Sequence, residues 1–262
     1  MVAPRGILYP ARLPELHRLA PEGADAALVR WYWVPEWRLA PGRTSRQHVL
    51  SHPSCNLVVE PGGVGLAGPT TRASHRDLTG TGWAVGALLR PAAVPALSPD
   101  PSADRDAYRP VAAPDLHAGV VACMTGDRPP ERRREAACAL LAAWLRERVG
   151  PVDEDGRRAN AMLDLAEGDG TVVTPEDLAR RLAVSTRTLE RLARTHVGLP
   201  PAALLRRRRL QEAAERVRLD PHVPLADLAA ELGYADHAHL TRDFTRVLGL
   251  TPSGYRREAQ AP

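Results

Sequence analysis

Lysine is absent from this chain: all 35 basic side chains are arginine. A codon-biased, high-GC genome yields that bias by itself, so arginine usage alone identifies no partner. Cysteine is scarce, with Cys55, Cys123 and Cys138 widely spaced and no CxxC pair. That excludes a disulfide framework and a thiolate zinc site, and it fits a reducing, cytoplasmic compartment. Long apolar runs are missing as well. The longest, AACALLAAWL at 136–145, is too short to span a bilayer, and the first twenty residues hold no apolar core of signal-peptide length. No GxSxG, HExxH or P-loop string occurs. Aromatic residues make up 4% of the chain and include a single phenylalanine.

At 262 residues, 44% hydrophobic and 25% charged, the chain has the composition of an ordinary globular protein with one large or two average domains. Its charge is uneven. Residues 174–257 hold 15 Arg against 10 Asp and Glu, whereas residues 1–173 hold 20 against 20. A neutral module joined to one that binds a polyanion is the organisation this implies.

The composition divides in the same way. Up to about residue 125, proline, glycine and four of the five tryptophans accompany short alternating segments. AALVRWYWV (26–34) reads as a strand with Val29, Trp31 and Trp33 on one face. CNLVVEPGGVGLAG (55–68) reads as two strands about a Pro-Gly-Gly turn, and GWAVGALLRP (82–91) as a strand stopped by Pro91. PERRREAACALLAAWLRERVG (130–150) reads as a helix with an apolar stripe of Ala137, Leu140, Leu141, Trp144 and Leu145, and 156–170 as a shorter helix. The expected fold is α+β. A small β-rich domain (1–128) leads through a helical connector (129–170) to an all-α domain (171–258).

The last segment repeats itself. Leu178, Ala179 and Leu182 align with Leu228, Ala229 and Leu232 at an offset of 50; Ser185, Leu189, Arg191, Gly198 and Pro201 align with Asp236, Leu240, Arg242, Gly249 and Pro252 at 51. Each copy spells helix, tight turn, helix. Thr174 and Pro175 are an N-cap and an N1 proline, Gly233 suits a turn with positive φ, and Ser185 and Asp236 cap the second helices. This is the layout of a helix-turn-helix, whose second helix enters the DNA major groove.

Helical geometry separates the reading face from the core. At 100° per residue Leu240, Phe244 and Val247 cluster on the inner side, while Ala238, Arg242 and Thr245 lie opposite, with His239 at the border and His237 on the first turn. His237 and His239 point about 200° apart, so one helix cannot bring both to a metal; Asp236, His239 and Asp243 share a face and are a metal alternative, with no fourth ligand near. In the first copy Leu189, Leu192 and Val197 are core, and Thr186, Arg187, Thr188, Glu190 and Arg191 face outward. A guanidinium from Arg187 or Arg191 suits guanine O6 and N7. Between the copies, PAALLRRRRLQEAAERVRL (201–219) reads as a linker helix about 28 Å long, comparable to the roughly 34 Å of one DNA turn. Leu205, Leu210, Ala213, Ala214 and Val217 are its apolar contacts, and the run 206–209 either meets phosphates or forms a solvated face with one arginine buried.

The spacing GY.D..HL.R.F.R..G.TP..YR at 233–256 resembles the signature of the AraC/XylS family of bacterial transcription regulators, and the resemblance covers about 171–257. It implies two helix-turn-helix units reading double-stranded DNA, with base-reading positions at Arg187, Glu190 and Arg191 and at His237, Ala238, His239 and Arg242. Arg194, Arg206, Arg209, Thr241 and Arg246 complete the candidate DNA-facing set. Ala193 stands where the family often has Phe, and Ala183 where a turn glycine is common, which implies a looser first unit. The N-terminal half resembles the sensor domains of some members, many of them cupin-like. That implies a small effector or a homodimer, with RNA polymerase as a further partner and no cofactor. Trp31, Trp33, Trp37 and Trp83 are candidate ligand-pocket residues, with core packing as the alternative, and 130–150 either pairs with its copy or packs on its own domain. Against catalysis, His48 and His52 on a strand lie about 13 Å apart, too far for one ion with Glu60, and the cysteines lack the context of a repair methyltransferase. The alternative function is an effector-independent DNA-binding, nucleoid-type protein whose N-terminal half only oligomerises.

Overall fold

Strands in the first half are short because turn residues interrupt them every few positions. The computed structural model describes residues 15–49, 52–220 and 222–259; residues 1–14, on which most of the signal-peptide expectation rests, lie outside these. Nine strands appear among the described residues: β1 Glu15–Leu19, β2 Val29–Arg38, β3 Thr44–Val49, β4 Asn56–Glu60, β5 Gly63–Ala67, β6 Ser74–Thr79, β7 Thr81–Trp83, β8 Val85–Leu89 and β9 Tyr108–Pro110. One antiparallel sheet runs β1-β2-β8-β4-β5-β9, with β7 also on β2, and β3 pairs with β6 separately. The Pro61-Gly62 turn joins β4 to β5 in register Glu60↔Gly63. The string GVGLAG at 63–68 has the glycine spacing of a dinucleotide fingerprint. It lies along β5 and not at a strand-to-helix turn, the context that phosphate binding there requires.

Strand β2 corrects one expectation. Its register shifts between Val29 and Trp31, and such a bulge reverses which side chains point inward. Val29, Tyr32 and Val34 are therefore buried, while Trp31 and Trp33 are only half-buried on the other side.

Helices α1 (Pro114–Thr125) and α2 (Pro130–Val149) pack as a hairpin on this sheet. Leu116, Val120, Met124, Ala137, Leu141 and Leu145 meet Leu57, Val59, Val85 and Leu89 in one apolar core. So α2 packs on its own domain. Leu140, expected in its stripe, is 38% exposed, and Cys138 is buried instead.

Two further cores follow. α3 (Glu154–Gly168), α4 (Pro175–Arg181) and α5 (Thr186–His196) enclose Met162, Leu163, Leu178, Leu189 and Leu192, joined by Leu204 and Leu205 from the start of α6 (Pro201–Leu219). The rest of α6, through Leu210, Ala213, Ala214 and Val217, packs with α7 (Leu225–Glu231), α8 (His237–Leu248) and α9 (Pro252–Ala259). The linker helix thus contributes one half to each core. Among the described residues no helix is long and apolar enough to cross a membrane.

Candidate nucleic-acid interface

Local chemistry builds each unit. At α4, the Thr174 hydroxyl accepts from the Asp177 N–H while the Asp177 carboxylate accepts from Thr174, a reciprocal cap. The chain then turns through Ala183 at φ 52°, and the Ser185 hydroxyl accepts from the Thr188 N–H at 3.1 Å to start α5. The second unit repeats the device: Gly233 turns at φ 71° and the Asp236 carboxylate accepts from the His239 N–H at 2.6 Å. That bond holds the Asp236 carboxyl below its usual range.

These caps set the helical phase. On α5, Leu189, Leu192 and Ala193 are buried, and Thr186, Arg187, Glu190, Arg191 and Arg194 are exposed, with Thr188 half-buried. On α8, Leu240, Phe244 and Val247 are buried, and His237, Ala238, His239, Arg242, Thr245 and Arg246 are exposed, with Thr241 half-buried. Ala193 occupies the place of Phe244, so the first unit fills that position with a methyl group. His239 sets its ring edge-on to Tyr234 with centroids 5.2 Å apart.

The charged groups are less uniform than the sequence implies. Two arginines of the run 206–209 are buried, Arg207 and Arg208, where one or none was expected. Burial pushes the Arg207 guanidinium down to about 10, against the pull of Glu167, and it remains charged at neutral pH. Arg208 donates to the Val172 carbonyl at 3.0 Å. Arg209 donates to the Leu232 carbonyl at 3.2 Å and lies over the Tyr234 ring, and Arg206 approaches Asp243 at 3.9 Å. Both are half-buried with internal partners. Asp243 itself, placed outward with Asp236 and His239 in the metal alternative, is 8% exposed and accepts from Arg246 at 2.8 Å. It faces the linker helix, away from any exposed metal trio. Arg191 is exposed, yet both its terminal nitrogens donate to Asp155 of α3, at 2.6 and 3.1 Å. The bond from Arg191 holds the Asp155 carboxyl low. Asp155 lies 36 residues before Arg191, and no local pattern in the sequence marks it.

The sheet region touches both units. Asn160 of α3 accepts from the Ala92 N–H and donates to the Ala27 carbonyl, each at 2.9 Å; Asp164 pairs with Arg90, and Glu167 with Arg30. His196, at the end of α5, places Nδ1 3.1 Å from the Pro91 carbonyl, an acceptor that keeps the proton on that nitrogen. Arg105 donates to the Gly198 carbonyl at 2.9 Å, and the Ala73 N–H donates to the Arg246 carbonyl at 3.3 Å.

The four tryptophans are dispersed. Trp31 stands between Arg18 and Arg30 and borders a cavity of about 100 Å³ with His52, Glu167 and Gln211. Trp33 covers Gly86 and donates to Asn56 at 3.0 Å. Trp37 covers Gly82 and donates to the Thr79 carbonyl, and Trp83 packs against the first core. Trp31 and Trp33 are thus neither part of that core nor neighbours lining one pocket.

A helix-turn-helix domain profile matches residues 178–258, and a profile for a domain of unknown function (DUF6597) matches 17–105. A Streptomyces lividans protein named as an AraC-like transcription regulator is 33% identical over 128 residues, 49% of this chain and 40% of that protein. The HTH-type transcriptional activator RhaS of Salmonella arizonae is 29% identical over 138 residues, 52% of this chain and 49% of its own length. The alignments thus span less than half of these relatives. The crystal structure of ToxT from Vibrio cholerae superposes with a TM-score of 0.45 at 12% identity, covering 88% of this chain and 99% of that one. With the duplicated unit, its caps and its exposed arginine faces in place, residues 178–258 form a helix-turn-helix domain, and the chain is similar over about half its length to AraC-like transcription regulators.

Proposed function

We propose that this chain is a sequence-specific, DNA-binding transcription regulator whose helices α5 and α8 enter successive major-groove segments of one duplex. The observation that carries the reading is the repeat itself: Arg191 and Arg242 hold equivalent, exposed places on two capped helices joined by one linker helix. Arg187, Glu190, Arg191 and Arg194 on α5, and His237, Ala238, His239 and Arg242 on α8, are the proposed contacts to bases and phosphates. Arg206, Arg209 and Arg246 serve mainly to hold the units in shape, since each has an internal partner. Residues up to the end of α2 form the controlling part, acting through a small effector or through a second copy of the chain. The polar contacts from the sheet region to both units support this, because a change in that region has a physical route to each recognition helix. RNA polymerase is the partner through which such a regulator acts.

The test is selection from a randomised duplex library, followed by titration against the selected sequence at several salt concentrations. Guanidinium groups on phosphates release counterions, so affinity should fall steeply with salt. A flat salt response, or no selected sequence, would overturn the reading.

A further inference from the structure

The two reading arginines are equivalent in the repeat and unlike in their surroundings. Arg242 is exposed with no salt bridge among the described residues. Arg191 gives both terminal nitrogens to one carboxylate, that of Asp155, with the two side chains 46% and 33% exposed. Asp155 lies on the first turn of α3, outside both helix-turn-helix units. It also lies on the helix that Asn160, Asp164 and Glu167 attach to the sheet region.

A paired carboxylate takes the guanidinium end-on, through the same two-nitrogen fork that grips O6 and N7 of guanine. That fork serves one bidentate acceptor at a time. Resting on the assignment of α5 as a DNA-reading helix, we infer that Asp155 is an internal competitor for Arg191. It holds the guanidinium off DNA and so sets the affinity and base preference of the first unit. In the second unit the nearest acid, Asp236, feels the charge of Arg242 but is engaged as the α8 cap and forms no salt bridge with it, so the two units engage DNA unequally: α8 reads without breaking an ion pair, and α5 reads only after its arginine exchanges one acid for another. Because α3 is anchored to the sheet region, any shift of that anchor moves Asp155 relative to α5 and changes how readily Arg191 is released.

The experiment is a double-mutant cycle in the full chain, with duplex selected by the wild-type protein. Asp155→Asn should bind about fivefold more tightly, the upper worth of a partly exposed ion pair, and sharpen the preference at one base. Arg191→Ala should abolish that preference. Adding Asp155→Asn to Arg191→Ala should then bring no gain. Asp155→Ser, which keeps a polar first-turn side chain, should repeat the Asn result and guards against a folding artefact of either replacement. Unchanged or weaker binding by both Asp155 variants would overturn the inference. So would an equal gain in the Arg191→Ala background, since that gain would come from removing a negative charge near DNA in general. If the wild-type chain selects no duplex, the DNA-reader assignment fails and the inference with it; if it selects one and the cycle shows no coupling, the inference fails alone.

Discussion

Replacing Ala183 with glycine should stabilise the protein, and the magnitude follows from its backbone. Ala183 turns the chain between α4 and α5 at φ 52°, where the second unit has Gly233 at φ 71°. An L-residue with a Cβ in that conformation costs about 1–2 kcal/mol. Glycine removes that cost and adds back about 0.5–1 kcal/mol through its greater freedom in the unfolded chain. The expected net gain for Ala183→Gly is therefore about 0.5–1 kcal/mol. The mirror change, Gly233→Ala, should cost a similar amount, because among the described residues, chain neighbours aside, the added Cβ would meet just the tip of Arg209 at 3.4 Å, an ordinary contact. Cavity and clash terms are thus absent from both estimates, and only the backbone contributes. Urea denaturation followed by far-ultraviolet circular dichroism should raise the midpoint for the first variant and lower it for the second. If Ala183→Gly lowers the midpoint, the turn does not hold its left-handed geometry in solution and the reasoning fails.

Arg242→Ala should cost about 1–3 kcal/mol of operator binding and relax preference at a single base pair; equal weakening on every sequence would place Arg242 on a phosphate. Cys55 and Cys138 are buried in the first core, which pushes both thiols up to about 12, whereas Cys123 is half-buried. A thiol-reactive disulfide at pH 8 should therefore label Cys123 in the native chain and reach the other two only on unfolding; three equal rates would refute that placement. The capping carboxyls Asp177 and Asp236 are held below their ordinary range, chiefly by bonds from the Thr174 hydroxyl and the His239 N–H respectively. A lowered native pKa contributes stability that is complete above about pH 4 and fades as pH falls. Asp177→Asn with Asp236→Asn should thus flatten the decline of the thermal midpoint between neutral pH and pH 3; an undiminished decline would remove these caps from the account.

Much of the C-terminal half was legible because its signals are local. An N-cap and the backbone N–H it satisfies are two or three residues apart, and the apolar stripe of a helix repeats every three or four, so Thr174, Ser185, Asp236 and the buried faces of α5 and α8 could be read directly. The repeat strengthened that reading, since the same pattern occurs twice with the offset changing by one residue at the turn. Strand β2 shows the opposite case. Its alternation was visible, but a single bulge after Val29 exchanged the inward and outward faces, so the tryptophans expected beside Val29 lie on the far side. The composition of 206–209 likewise could not say which arginines reach solvent. Rotation of α6 between two cores buries Arg207 and Arg208 and leaves Arg206 and Arg209 only partly exposed.

From the amino-acid order alone came the two units, their caps, the linker between them and the surplus of positive charge around them, all consequences of interactions spanning a few residues. The sheet order, the joint between the sheet region and the helices, and the acid that holds Arg191 came only with the folded chain. The joint and the acid depend on segments far apart in the chain, 137 residues for Arg30 with Glu167 and 36 for Asp155 with Arg191. Pairing between charges so distant leaves no periodic trace in the sequence, because it is fixed by where separate cores meet rather than by the spacing of neighbours.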